Sequence, residues 1–214
     1  MPGSFGELFV QERFGTVLRA RSFCDHQVLD HLNSRMRHFI ASMDMVFIAT
    51  ADGSGAADCS FRAGLPGFVC VLGERTLAYP ECRGNGVMSS LGNIVENGHI
   101  GLLFIDFCGD AVGLHVNGRA AIVENAERLD GRPLPFHVLD GPLQEGGRRP
   151  EAWVRVDVEE AYIHCSKHIP KLCRPEAPHG KDADPSRAGG DYFKAKHTSR
   201  PRMDGGATGH SGRK

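Results

Sequence analysis

The stretch with the most chemistry in it runs from Ser60 to Ser90. Ser60 and Arg62 stand at the end of a short strand-like run, and the glycines Gly64 and Gly67 follow. Tyr79-Pro-Glu-Cys-Arg-Gly-Asn-Gly86 then leads from a strand end straight into helix-like sequence. A glycine-rich turn at a helix N-terminus leaves backbone N–H groups unpaired, at the positive end of the helix dipole. Ser89 and Ser90 add hydroxyl donors in the first turn. Arg62 and Arg83 can add charge-assisted hydrogen bonds to an anion. These are the residue types of a phosphate site. The same Gly-Asn-Gly also makes an ordinary turn and cap, with Arg62 as a surface charge, and spacing alone does not separate the two readings.

Other reactive side chains form weaker constellations. His164-Cys165-x-x-His168, with Cys173 behind, has the residue types of a zinc site, and in a helix His164 and His168 would share a face. It follows a strand directly, however, and lacks a second cysteine pair at ligand spacing, so no metal is assigned. His115 has two readings, a proton donor beside a redox group or a strand residue facing water. Cys59 and Cys70 are read as packing residues, because a redox role needs a lowered thiol pKa and exposure. There is no Ser/His/Asp arrangement, no Gly-x-Gly-x-x-Gly after a first strand and no convincing carboxylate pair. Catalysis, if present, would draw its hard step from a cofactor.

The elements that position these residues follow from periodicity. Leu29, Leu32, Met36, Phe39, Ile40 and Met43 keep three–four spacing, which predicts a helix over 25–43 with Asp25 as N-cap. Met45–Thr50 and Ala56–Arg62 read as strands joined by an Asp52-Gly53 turn. Phe68–Leu72 and Thr76–Tyr79 read as a hairpin. A second helix opens at Gly84-Asn85-Gly86 and stops near Asn97-Gly98. Ile100–Phe107 is apolar throughout, Leu114–Val123 is a strand broken at Asn117-Gly118, and Trp153–Ile163 alternates with Arg155, Asp157 and Glu159 on a wet face. Short turns between strands argue for an antiparallel barrel or sandwich with helices at its open ends, and against a doubly wound fold.

Three regions emerge: an N-terminal extension at 1–24, a barrel domain at 25–173 and a tail at 174–214. The tail has no Leu, Ile or Val, and carries nine Lys or Arg against five Asp or Glu. It is expected to be disordered, since it cannot bury enough apolar surface to offset the entropy of ordering. The net charge of −1 over 214 residues gives no global pull toward nucleic acid, and no apolar run is long enough to span a bilayer. Met1–Val10 lacks the pattern of a secretory signal, and the seven cysteines are irregularly spaced. A cytoplasmic location is therefore expected.

Several short motifs recur in a fixed order: Asp58-Cys-Ser-Phe-Arg62, Pro66-Gly-Phe-Val69, Leu77-Ala-Tyr-Pro80, Gly84-Asn-Gly86, Ser90-Leu-Gly-Asn-Ile94, Gly101–Phe107 and Val116-Asn-Gly118. The series resembles the pyridoxamine 5′-phosphate oxidase-like, FMN-binding split-barrel family over about residues 25–170. The resemblance implies an α+β, mainly β fold: an antiparallel six-stranded split barrel with flanking helices. It implies a homodimer with FMN at the interface, and a flavin-dependent oxidoreductase acting on a small molecule by hydride transfer. The alternative within the fold is a non-catalytic carrier of flavin, deazaflavin or haem.

Carried over by position, Ser60 and Arg62 fall beside the flavin. Tyr79 and Pro80 fall at ribityl and ring atoms. Asn85, Gly86, Ser89 and Ser90 fall at the phosphate, where Arg83 could stand in for a cation missing from the family pattern. Asn93 lies on the helix behind. Cys165, Lys167 and His168 follow the last strand near the groove mouth and, with His115, are candidate substrate contacts. The family pattern leads one to expect a basic residue near 89 or 90, and others at 70 and 115. Here those positions hold Ser89, Ser90, Cys70 and His115.

Overall fold

A computed structural model describes residues 3–124 and 150–172, together with the backbone of 128–129 and 132–133. The chain divides into Met1–Leu172 and Cys173–Lys214. The tail expected at 174–214, and Cys173, lie outside the described residues.

Period-two alternation dominates. In chain order the strands are β1 (Val28–Leu29), β2 (Met45–Ala51), β3 (Ala57–Ala63), β4 (Cys70–Val71), β5 (Thr76–Glu81), β6 (His99–Ile105), β7 (Gly113–Val123), β8 (Arg128–Leu129), β9 (Arg132–Pro133) and β10 (Ala152–His164). Strands β8 and β9 pair only with each other. The rest form one antiparallel sheet in the order β3-β2-β6-β7-β10-β5-β4, with β1 added on β10. Its six longer strands make the split barrel. Val46, Ile48, Ile100, Leu102, Phe104, Leu114, Val116, Val154 and Val156 point inward to one core, closed by Ile40 and Ile94 from two helices. The sheet curls until its ends meet. β3 is an edge strand and β5 lies near the opposite edge, yet Arg62 Nε of β3 donates to Glu81 Oε2 of β5 at 2.8 Å.

Four helices flank the sheet: α1 (Phe5–Phe14), α2 (Val17–Gln27), α3 (Ser34–Ser42) and α4 (Ser89–Glu96). The continuous helix expected at 25–43 is corrected. Asp25 lies inside α2, and Val28 and Leu29 leave helical geometry to pair with Tyr162 and Ala161 of β10. The cap of α3 is Asn33, whose side chain accepts from the Met36 N–H at 3.0 Å. Tertiary strand pairing overrides a local three–four pattern here. Strand β7 is likewise unbroken. Gly118 sits opposite the bulge between Val158 and Glu160, where an added Cβ would stand 2.0 Å from the Asp157 carbonyl oxygen. The glycine therefore marks close backbone approach rather than a strand end.

The extension expected at 1–24 holds α1 and most of α2, which runs on to Gln27, and its apolar pattern revealed neither. The local signals were present: Ser4 and Glu7 form a capping box, and Gly15 closes α1 in left-handed geometry.

Candidate functional site

Strand β3 divides its side chains by alternation. Cys59 and Phe61 face outward, while Asp58, Ser60 and Arg62 turn toward the start of α4. The second helix begins later than its glycines suggest. Gly84 (φ 50°), Gly86 (φ 81°) and Met88 (φ 55°) are left-handed, so the chain cannot enter helical geometry before Ser89. Asn85 Oδ1 accepts from the Val87 N–H at 3.0 Å and holds this loop. Met88 at the N-cap is uncommon, because a side chain in the left-handed region is sterically costly and persists where its surroundings demand it. No side chain caps α4, which leaves first-turn N–H groups available to a ligand.

Helix α4 is tied over the β2–β3 hairpin through its C-terminal half. Asn93 Nδ2 donates to Thr50 Oγ1 at 2.9 Å, so Asn93 is a structural clamp. Glu96 Oε2 accepts from the Gly53 N–H at 2.9 Å. The helix start lies beside β3. Ser60 and Ser90 hydroxyls meet at 3.1 Å, and Arg62 Nη2 lies 3.4 Å from Ser90 Oγ. Around them is a cavity of about 410 Å³ that also takes in Arg83, Asn85 and Ser89.

The electrostatics of the cavity are balanced. Arg62 bonds Glu81 through two nitrogens, and the Glu81 side chain is only 6% exposed. Burial opposes the charge on Arg62, but the hydrogen bond and charge of Glu81 hold it protonated. Arg83 is mostly exposed and pairs with Glu151 at 2.9 Å. Both arginines that line the cavity thus have a carboxylate partner. Glu81 is the residue that sequence reasoning missed. Its carboxylate lies 19 positions from Arg62, and only barrel closure joins them.

Not every expected residue converges. Tyr79 is fully buried in the barrel core, and its hydroxyl has no hydrogen-bond partner among the described residues. Burial, and then the Glu81 charge, push its phenol pKa well up. Pro80 pairs in register with Trp153 and does not line the cavity. His115 lies on the outer sheet face, with Nε2 2.8 Å from His164 Nδ1 and its ring stacked on Tyr162 at 4.7 Å. Burial and then His164 depress its pKa. Cys165, Lys167 and His168 follow β10, with Lys167 and His168 in a single 3-10 turn at Ser166–His168, and none lines the cavity. His164 ends strand β10, so it and His168 do not share the face of one helix. Among the described residues no group of three potential metal ligands is found. Burial pushes the Cys70 thiol up to about 12, in keeping with packing.

The fold is a curled antiparallel split barrel with a cavity at the turn from β5 into α4, lined by Ser60, Arg62, Ser89 and Ser90. The chain belongs to the pyridoxamine 5′-phosphate oxidase family, whose model matches residues 32–165. No curated protein matches it. Similar solved structures include HupZ of Group A Streptococcus, at 19% identity, covering 62% of this chain and 93% of that one, with a TM-score of 0.46. HutZ, the haem storage protein of Vibrio cholerae, is 14% identical over 62% of this chain and 93% of that one, with a TM-score of 0.43. A Clostridium acetobutylicum protein related to general stress protein 26 is 13% identical over 64% and 89%, with a TM-score of 0.41. Among the described residues no helix is long and apolar enough to cross a membrane.

Proposed function

We propose that this chain binds FMN as a homodimer and works as a flavin-dependent oxidoreductase on a small molecule, in the cytoplasm. One observation carries the reading: Ser60, Ser90 and Arg62 converge on the uncapped start of α4 inside a cavity. That donor set suits a phosphate. Ser90 and Ser60 offer hydroxyls, Ser89 and its neighbours offer backbone N–H groups, and Arg62, whose Nη1 also donates to the Phe61 carbonyl, keeps one Nη1–H and the Nη2–H that faces Ser90. Glu81 orients Arg62 and holds it in place. FMN bound there would supply hydride transfer, with oxygen or a small acceptor closing the cycle.

The outer sheet face supports the dimer. Phe61, Phe47, Leu103, His115 and Tyr162 stand in register across β3, β2, β6, β7 and β10. Such an apolar row on an exposed sheet face marks an interaction surface. The pairing of both arginines favours a second reading of the same cavity, a non-catalytic carrier of flavin, deazaflavin or haem.

The visible spectrum of the purified protein and FMN titration of the stripped protein test the proposal. Flavin bands are expected, and a Soret band would favour haem. Ser90→Ala removes a hydrogen bond to a charged group worth about 1.5–3 kcal/mol, so FMN should bind roughly ten- to a hundredfold more weakly. A protein that is colourless and takes up no added FMN would overturn the flavin reading.

A further inference from the structure

Among the described residues, helix α1 finds no core in which to bury its apolar side chains. It is well made, with a capping box at Ser4 and Glu7 and a left-handed Gly15 whose N–H returns to the last turn. Yet none of its residues is buried. Phe5 is 86% exposed and Phe14 72% exposed, and Leu8, Phe9 and Val10 are exposed with them. At 100° per residue, Phe5, Leu8 and Phe9 share one side of the helix, while Val10 and Phe14 lie on the other. A helix with apolar side chains on two sides can sit between two apolar surfaces. In a single chain α1 packs against α2 alone among the helices and strands with substantial contact.

We infer that α1 and α2 form an arm that clasps a second copy of this chain, an inference that rests on the dimer proposed above. Continuity with the outer sheet face points to that occupant. The Phe23 ring of α2 meets the Tyr162 ring edge-on at 6.1 Å, and β1, which follows α2 directly, pairs with β10. The arm is thus rooted where the row from Phe61 to Tyr162 ends. A two-fold axis through that face sets each arm on the other copy's row. The C-terminal tail offers little to cover the helix. Residues 173–214 contain no Leu, Ile or Val, and Tyr192 and Phe193 are their only aromatic residues. A lipid surface is a poor match, because α1 carries Glu7 and Glu12 against the single Arg13 and has no basic face. Five large apolar side chains on each of two arms, burying roughly 100 Å² apiece, remove on the order of 1,000 Å² from water, about what a specific interface requires.

The test uses the full chain with p-benzoylphenylalanine in place of Phe9, mixed as isotopically light and heavy copies. Irradiation should join light to heavy chains, with attachment on outward residues of β2, β3 or β6. In parallel, Phe5→Ser/Phe9→Ser/Phe14→Ser should raise the dimer dissociation constant at least tenfold by sedimentation, while the far-UV spectrum of the barrel is kept. Attachment confined within single chains, or none, together with an unchanged dissociation constant, would overturn the arm and leave the dimer standing. A wild-type chain that sediments as a monomer at micromolar concentration would overturn both.

Discussion

Replacing Glu81 by Gln separates the charge of Arg62 from its placement. In the wild type the Glu81 carboxylate accepts two bonds from Arg62 and cancels its charge inside the cavity. The amide of Glu81→Gln keeps the shape and one acceptor oxygen, so Arg62 stays beside Ser90 while one negative charge is lost. A charge about 8 Å from a phosphate is worth about 0.5–2 kcal/mol per unit, taking the effective dielectric between that of water and the value of about 20 that suits sites near a protein surface. FMN phosphate carries nearly two charges, and salt screens part of the effect. The expected gain is about 1–2 kcal/mol, or roughly five- to thirtyfold tighter FMN binding. The ligand-free protein should lose about 1–3 kcal/mol of stability, because Arg62 gives up a charged acceptor. The assay is flavin fluorescence quenching on the stripped variant, with riboflavin as a control. Riboflavin lacks the phosphate, so its affinity should not change. Equal shifts for FMN and riboflavin, or weaker FMN binding, would refute the placement of the phosphate beside Arg62.

Two further outcomes follow from the barrel. Gly118→Ala would drive a Cβ into the Asp157 carbonyl oxygen at the β10 bulge. It should cost about 3 kcal/mol or more, read as a lower urea midpoint; an unchanged midpoint would mean that the bulge relaxes freely. His115 binds its proton less tightly in the folded chain than unfolded, through burial and then His164, with Glu160 opposing. Its contribution to stability is therefore complete above the unfolded value of about 6.5 and is lost as pH falls through the lower folded value. Melting temperature against pH should fall less steeply on the acid side in His115→Gln than in the wild type, and parallel profiles would remove His115 from this role.

Much of the cradle was legible before the fold was known, for a local reason. Gly84, Asn85 and Gly86 are demanded by a left-handed loop that must end in a helix, and such turn chemistry is written in neighbouring residues. The inward residues of β10 were equally legible, because Arg155, Asp157 and Glu159 alternate with them and mark the wet face, whereas β2 and β6 carry apolar residues on both faces and only the fold shows which face is buried. Where local pattern and pairing disagreed, pairing decided the outcome. Val28 and Leu29 fit a helix by spacing but complete a strand beside β10, since a ladder to a distant strand satisfies their backbone groups in the fold. Tyr79, expected at the ligand, was drawn into the core by the register of β5.

The residue series alone determined the family, the antiparallel barrel and the cluster of serines, glycines and arginines on which the proposed phosphate site rests. Only the tertiary structure decided what those arginines are free to do. Arg62 meets Glu81, and Ser60 meets Ser90, because the sheet curls until an edge strand reaches a strand near its far side and α4 is clamped above the gap. Curvature of that kind accumulates over the whole sheet, so no local stretch of sequence announces which carboxylate will face which guanidinium.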